Sequence, residues 1–315
     1  MKSILTWIIS IAVVFACFDA AAKVPPRSSP GVLDRTPRIA VISAFTPELT
    51  TLLANVEHKR RHVVNGVEFT TGTLRGKRVV LFLSGISMVN AAMNTQLVLD
   101  RFNVTHVVFS GIAGGVNPAL NIGDVVVAER WGQYLETVAA RETAPGVFAP
   151  PTWMKDATMP AFGMWHPRPV GVRSKAKPSA DHRSELKFWF EADPKLLAVA
   201  RSLSDMRLSD CDEKKVCLAT PPKLVVGGNG ISAQVFVDNA ALREYAFKTF
   251  AASVLDMETA ATAMVAYANG VPYIAFRSLS DLAGGGKGEN EIETFFKLAA
   301  DNSAQVLMRF LAAWQ

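Results

Sequence analysis

The sequence predicts an α/β fold, with a mixed, mostly parallel central sheet flanked by helices on both faces. Three observations predict it. Residues 39–42, 105–110 and 273–279 are short runs, each built on a continuous apolar stretch, with the length of strands buried on both sides. Helical patterns alternate with them along the chain. Half of the 315 residues are hydrophobic and 19% are charged, which is a globular composition with enough apolar surface for one large core.

The elements follow in order. Lys2, an apolar run over residues 4–18 and Ala20-Ala21-Ala22 have the pattern of a secretory signal peptide, residues 1–22. That run is short of the roughly 20 residues a membrane span needs, so no stable span is expected. Cys17 could alternatively be a lipid-attachment site, but Phe15 is a poor residue two places before it. Residues 23–37, rich in Pro and Ser, read as a linker, and a single domain is expected over 38–315. A strand at 39–42 precedes Pro47, which opens a helix with Leu49, Leu52, Leu53 and Val56 on its apolar face. Residues 67–74 and 78–83 form a hairpin about Arg75-Gly76-Lys77. A helix over 87–101 leads to the strand at 105–110, and 124–128 is another strand. Residues 131–190 hold seven prolines and read as an excursion or insertion on the surface, a lid or an interface. Then come a helix from Pro194 to Leu203, short strands at 223–226 and 253–255, an Ala-rich helix at 258–269, the strand at 273–279 and a long helix at 290–314.

In such sheets ligands sit at the carboxyl ends of the strands, which singles out Glu48, Glu258 and Asp281. Breaking an N-glycosidic bond needs an acid for the leaving base, negative charge near an oxocarbenium-like sugar, and a base for water. Three carboxylates on one rim could meet those needs, with no cationic cradle expected beside them. Each also has a plainer reading. Glu48 and Glu258 could be helix N-terminal charges, and Asp281 a cap or turn residue. Gly111, Gly114 and Gly115 either let backbone approach a ligand or make a tight turn. They do not form a dinucleotide or P-loop motif, and no cofactor is implied. Net charge is +5, but the basic residues are scattered, so nucleic acid is not an expected partner. Cys211 and Cys217 are either bridged or free, and no His at ligand spacing suggests a metal site.

These residues resemble the nucleoside phosphorylase and nucleosidase superfamily, and most closely the methylthioadenosine/S-adenosylhomocysteine nucleosidases. The matching stretches are IAVISAFTPE ending at Glu48, SGISMVN from Ser84, SGIAGG from Ser110, NIGD from Asn121, DMETAA from Asp256 and RSLSD ending at Asp281. The resemblance implies a nucleoside phosphorylase-like fold. It implies Asp281 as general acid at purine N7, oriented by Ser280, and Glu48 as general base for water. Glu258 would hold the ribose hydroxyls and Met257 would pack on the sugar. Phe236 would stack on the base, Val237 would offer its backbone to the purine edge, and Gly114 would line the site. The chain departs from the family at Ile112, Gln234, Gly284 and Gly285. No Arg precedes the glycine segment, which favours water over phosphate as nucleophile. The expected function is hydrolysis of purine nucleosides to base and sugar by an exported, periplasmic or secreted homodimer. The alternatives are a phosphate-dependent phosphorylase and a non-catalytic nucleoside-binding protein.

Overall fold

The computed structural model describes residues 31–154, 158–178 and 183–315. The expected signal peptide, Cys17 and residues 23–30 of the expected linker lie outside the described residues. Regular structure begins earlier than Arg38, with strand β1 (Asp34–Ser43). Its second half is wholly buried, and its alternation serves two layers. Ile39 and Val41 enter one hydrophobic cluster, while Ala40 and Ile42 enter the other. Each large aliphatic side chain so buried contributes roughly 1.5–3 kcal/mol.

Helix α1 (Thr46–Ala54) follows at once, with Pro47 in its first turn and Leu49 and Leu52 buried. Strands β2 (Glu57–Val64), β3 (Val67–Leu74) and β4 (Lys77–Leu83) form an antiparallel meander. Its turns, Asn65-Gly66 and Arg75-Gly76, have positive φ at both residues. That geometry matches the twist of a two-residue hairpin. The sequence had suggested no strand at β2. It is an edge strand whose first five positions are exposed, so it carries charge rather than an apolar pattern.

Helix α2 (Met88–Arg101) leads into β5 (Phe102–Gly115), the long central strand. The glycine segment expected as a loop is its last part. Next come β6 (Val125–Val127) and β7 (Arg130–Gln133). The excursion then leaves the sheet and returns as β8 (Trp189–Glu191), which pairs with β7. The two ends of the 131–190 stretch are thus core rather than surface, with Trp131 and Phe190 fully buried. Its described middle forms small two-stranded ladders.

Helix α3 (Pro194–Arg201) is capped by Asp193, whose carboxylate accepts from Lys195 N and Leu196 N. Cys211 and Cys217 are joined by a disulfide in the loop that follows. Strands β9 (Leu224–Val226) and β10 (Asn229–Ser232) precede α4 (Ala240–Phe250) and β11 (Ala252–Asp256). Helix α5 (Thr259–Asn269), strand β12 (Tyr273–Asp281) and helix α6 (Ile292–Ala313) complete the chain. Residues 32–315 cluster as one compact unit.

The sheet is parallel at its centre, where β1 lies between β4 and β5, and β5 also pairs with β12. Antiparallel pairs close its margins. Helices α1, α3 and α6 bury their apolar residues with one cluster, and α2 and α5 theirs with the other. The last two residues of β5 change partner. Gly114 and Gly115 pair antiparallel with Leu255 and Val254 of β11, while Gly114 also faces Asp281 of β12. The ends of three neighbouring strands therefore meet at one place.

Candidate active site

A cavity of about 280 Å³ opens at that meeting point, and its walls include Glu48, Met257, Glu258, Ser280 and Asp281. Phe236, Val237 and Gly114 line it too. The eight residues singled out in the sequence therefore share one cavity. Phe236 stands at its rim, 51% exposed, whereas Val237 is buried. None of the described residues of the excursion between β7 and β8 lines the cavity.

Glu48 reaches the site because α1 starts immediately after β1. Its carboxylate bends back over the strand end. Oε2 accepts from Ala44 N at 2.6 Å and Oε1 from Ile112 N at 2.7 Å. It is 1% exposed, and burial raises its pKa against the pull of Arg277 and the two backbone donors. A carboxylate used only to favour the helix dipole would lie in solvent. Glu258 precedes α5 but its side chain caps nothing there. Its Oε1 accepts from Ser87 N at 2.7 Å. Burial pushes its pKa up to about 8, with Asp256 and Glu48 adding to the rise and Arg277 opposing it.

Ser87 is held at φ 81° and ψ 156°, a region almost confined to glycine. That strained geometry aims its N–H at Glu258. Asp281 ends β12. Burial raises its pKa, against donors from Ala283 N to Oδ1 at 2.8 Å and from the Ser280 hydroxyl to Oδ2 at 2.9 Å. The bond to Ala283 makes a turn, as its plainer reading anticipated, yet the same carboxyl lines the cavity.

The glycines act as close-approach positions. A Cβ on Gly111 would lie 2.5 Å from Glu48 Oε1, and one on Gly114 3.2 Å from Asp281 Oδ1.

One expectation is overturned. The carboxylates do have a cation beside them, Arg277 in the middle of β12. It is fully buried. Its Nε lies 2.8 Å from Asp256 Oδ2, and its terminal nitrogens lie 3.6 Å from Glu48 Oε1 and 3.6 Å from Glu258 Oε2. Its guanidinium sits 4.1 Å over the Phe109 ring. Burial disfavours the charge of Arg277, and the three carboxylates together more than offset that, so its pKa is raised. Asp256 also accepts from Glu258 N, Thr259 N and the Thr259 hydroxyl, which fixes the turn that presents Glu258. Neither residue was expected in the site: Arg277 sits in mid-strand, and Asp256 stands two residues before the more prominent Glu258. The signal was present: Arg277 is a charge inside an apolar strand and Asp256 one at the end of another, and a buried charge requires a partner.

The family model of the phosphorylase superfamily matches residues 38–312. The chain is 30% identical to the 5′-methylthioadenosine/S-adenosylhomocysteine nucleosidase of Bacillus licheniformis, over 87% of this chain and 98% of that protein. It is 30% identical to the enzyme of the same name from Psychromonas ingrahamii, over 85% of this chain and 95% of that one. Among solved structures, the nucleosidase of Colwellia psychrerythraea in complex with adenine superposes with a TM-score of 0.64 at 26% identity, covering 88% of this chain and 95% of that chain. The S. pneumoniae nucleosidase with a transition-state inhibitor gives 0.63 at 26% identity, covering 88% of this chain and 100% of that chain. Family-model match, full-length relatives and shared fold agree, and the chain belongs to the phosphorylase superfamily.

Proposed function

We propose that this protein hydrolyses the N-glycosidic bond of purine nucleosides of the methylthioadenosine, S-adenosylhomocysteine or adenosine type. The observation that carries the reading is the convergence of Glu48, Glu258 and Asp281 on one cavity, with Arg277 paired to the two glutamates behind it.

Phe236 and Val237 receive the flat base by stacking and by backbone contact. Glu258 accepts from the ribose diol, and Met257 packs on the sugar. Asp281, whose pKa burial raises, acts as the acid and gives its proton to N7 as the C1′–N9 bond breaks. The bonding electrons leave with the base, which departs neutral. Glu48 takes a proton from the water whose oxygen bonds C1′. Arg277 holds Glu48 and Glu258 in place and opposes the rise that burial imposes on their pKa values.

Phosphate would need a net positive cradle, and Arg277 is already surrounded by Asp256, Glu48 and Glu258. A non-catalytic binder has no use for a carboxyl raised in pKa at the position of the leaving base. The test is release of free adenine or hypoxanthine with and without phosphate. Turnover independent of phosphate is expected. Asp281→Asn should abolish turnover and retain nucleoside binding. Strict dependence on phosphate would overturn the reading.

Export belongs to the same proposal. The signal-like first 22 residues and the Cys211–Cys217 disulfide both suit an oxidising compartment. Pairing of two copies is supported by Ile86, Val89 and Met93, which stand 51%, 64% and 56% exposed at helical spacing, Ile86 in the cavity wall. A mass measurement in solution tests it, and a monomer at micromolar concentration would reject it.

A further inference from the structure

Asn290 lies in the segment between the Gly284–Gly288 run and α6, and no role was expected of it. Its side chain joins three parts of the site. Its Oδ1 accepts from Ile292 N at 3.0 Å, tying down the start of α6. Its Nδ2 donates to Asp238 Oδ1 at 3.1 Å, next to the base-facing Val237. The same Nδ2 lies 3.4 Å from Asp281 Oδ1. We propose that Asn290 is a positioning residue for the general acid, selecting the oxygen of Asp281 that carries the transferable proton; this rests on the hydrolase reading above.

Oδ1 of Asp281 faces the Ala283 N–H and the Asn290 amide, so it is an acceptor in either protonation state. The proton is left to Oδ2. There the only donor among the described residues is the Ser280 hydroxyl, which has a second acceptor, Ala113 O at 3.4 Å, when it turns away. As the purine departs, the Oδ2–H bond breaks and an N7–H bond forms. Asp281 becomes a carboxylate, and the bond from Asn290 becomes charge-assisted and stronger. The amide thus favours the state reached after proton transfer more than the state before it.

The charged group that acts on Asp281 is the carboxylate of Glu291, and Asp238 shares the Asn290 amide with Asp281. Arg243 stands beside Gly285, with its Nε donating to Gly115 O. Glu291 opposes ionisation of Asp281 and the Asn290 amide favours it, so losing the amide donor leaves that opposition unbalanced.

The test is Asn290→Asp with 5′-methylthioadenosine as substrate. An aspartate keeps the acceptor for Ile292 N and removes the donor to Asp281. Turnover, kcat, should fall on the order of tenfold with KM within about twofold. The alkaline limb of the kcat–pH profile should move to higher pH, because the variant holds the Asp281 proton more tightly. Asn290→Ser also keeps a short acceptor for the helix start but cannot reach Asp281. It should shift the same limb less, which serves if the aspartate variant folds poorly. A wild-type kcat and pH profile in Asn290→Asp would reduce Asn290 to a helix cap and overturn the assignment alone. Absence of base release by the wild-type protein would overturn the hydrolase reading and this assignment with it.

Discussion

Replacing Glu258 by Gln should flatten the dependence of stability on pH. Glu258 is 5% exposed, and its pKa rises from 4.5 to about 8 on folding, chiefly by burial. The folded protein therefore binds this proton more tightly than the unfolded chain. The resulting stability is fully present below pH 4.5 and is lost as pH rises through about 8. Between about pH 5.5 and about pH 9 the titration spans roughly 2.5 units, or about 3 kcal/mol at about 1.4 kcal/mol per unit. Glutamine does not titrate, and any fixed cost of weakening the contact to Arg277 is the same at every pH. Urea unfolding of both proteins across that range is the assay. The variant should gain about 3 kcal/mol on the wild type from the acid to the alkaline end. A difference that stays constant to within about 1 kcal/mol would refute a buried, high-pKa Glu258.

Other outcomes follow from the same geometry. The kcat/KM profile should be bell-shaped, rising as Glu48 loses its proton and falling as Asp281 does, with both limbs above the ordinary carboxylate range. Rates measured from acid to alkaline pH check this, and a flat profile would contradict both roles. Gly111→Ala would set a methyl 2.1 Å from Arg277 Nη1 and 2.5 Å from Glu48 Oε1, inside a buried ion cluster. It should cost about 3 kcal/mol or more and most of the activity. Ser87→Gly should relieve the positive φ and raise stability by about 1 kcal/mol, while the N–H that serves Glu258 remains. Thermal melts and turnover of these two variants provide the check.

The layers of the fold were legible because strands buried on two faces must be apolar throughout, as residues 39–42 and 273–276 are. Edge strand β2 was not legible, because its exposed positions need no such pattern. Helix α4 escaped as well; only Ala246 and Phe250 are buried in it, too few to mark a periodic stripe. At the site, the acidic residues were readable from their places after strands, and the motif resemblance extended them to Phe236 and Val237. What no local pattern could reveal was partnership. Arg277 meets Glu48 and Asp256 only because β5 and β12 lie side by side, a contact made by chain segments far apart. The strand character of Gly111–Gly115 was hidden for a related reason, since glycine there answers to side chains crowding in from neighbours.

The placement of the long excursion has a consequence for how freely this chain can vary. It is attached at β7 and β8, the far end of the sheet, with β10 and β11 between it and β5. Glu48, Glu258 and Asp281 hang from β1, β11 and β12, each a direct neighbour of β5. Dozens of residues can thus be gained, lost or rewritten at that border without altering the distances on which bond cleavage depends. Chemistry and ornament occupy separate districts of one sheet.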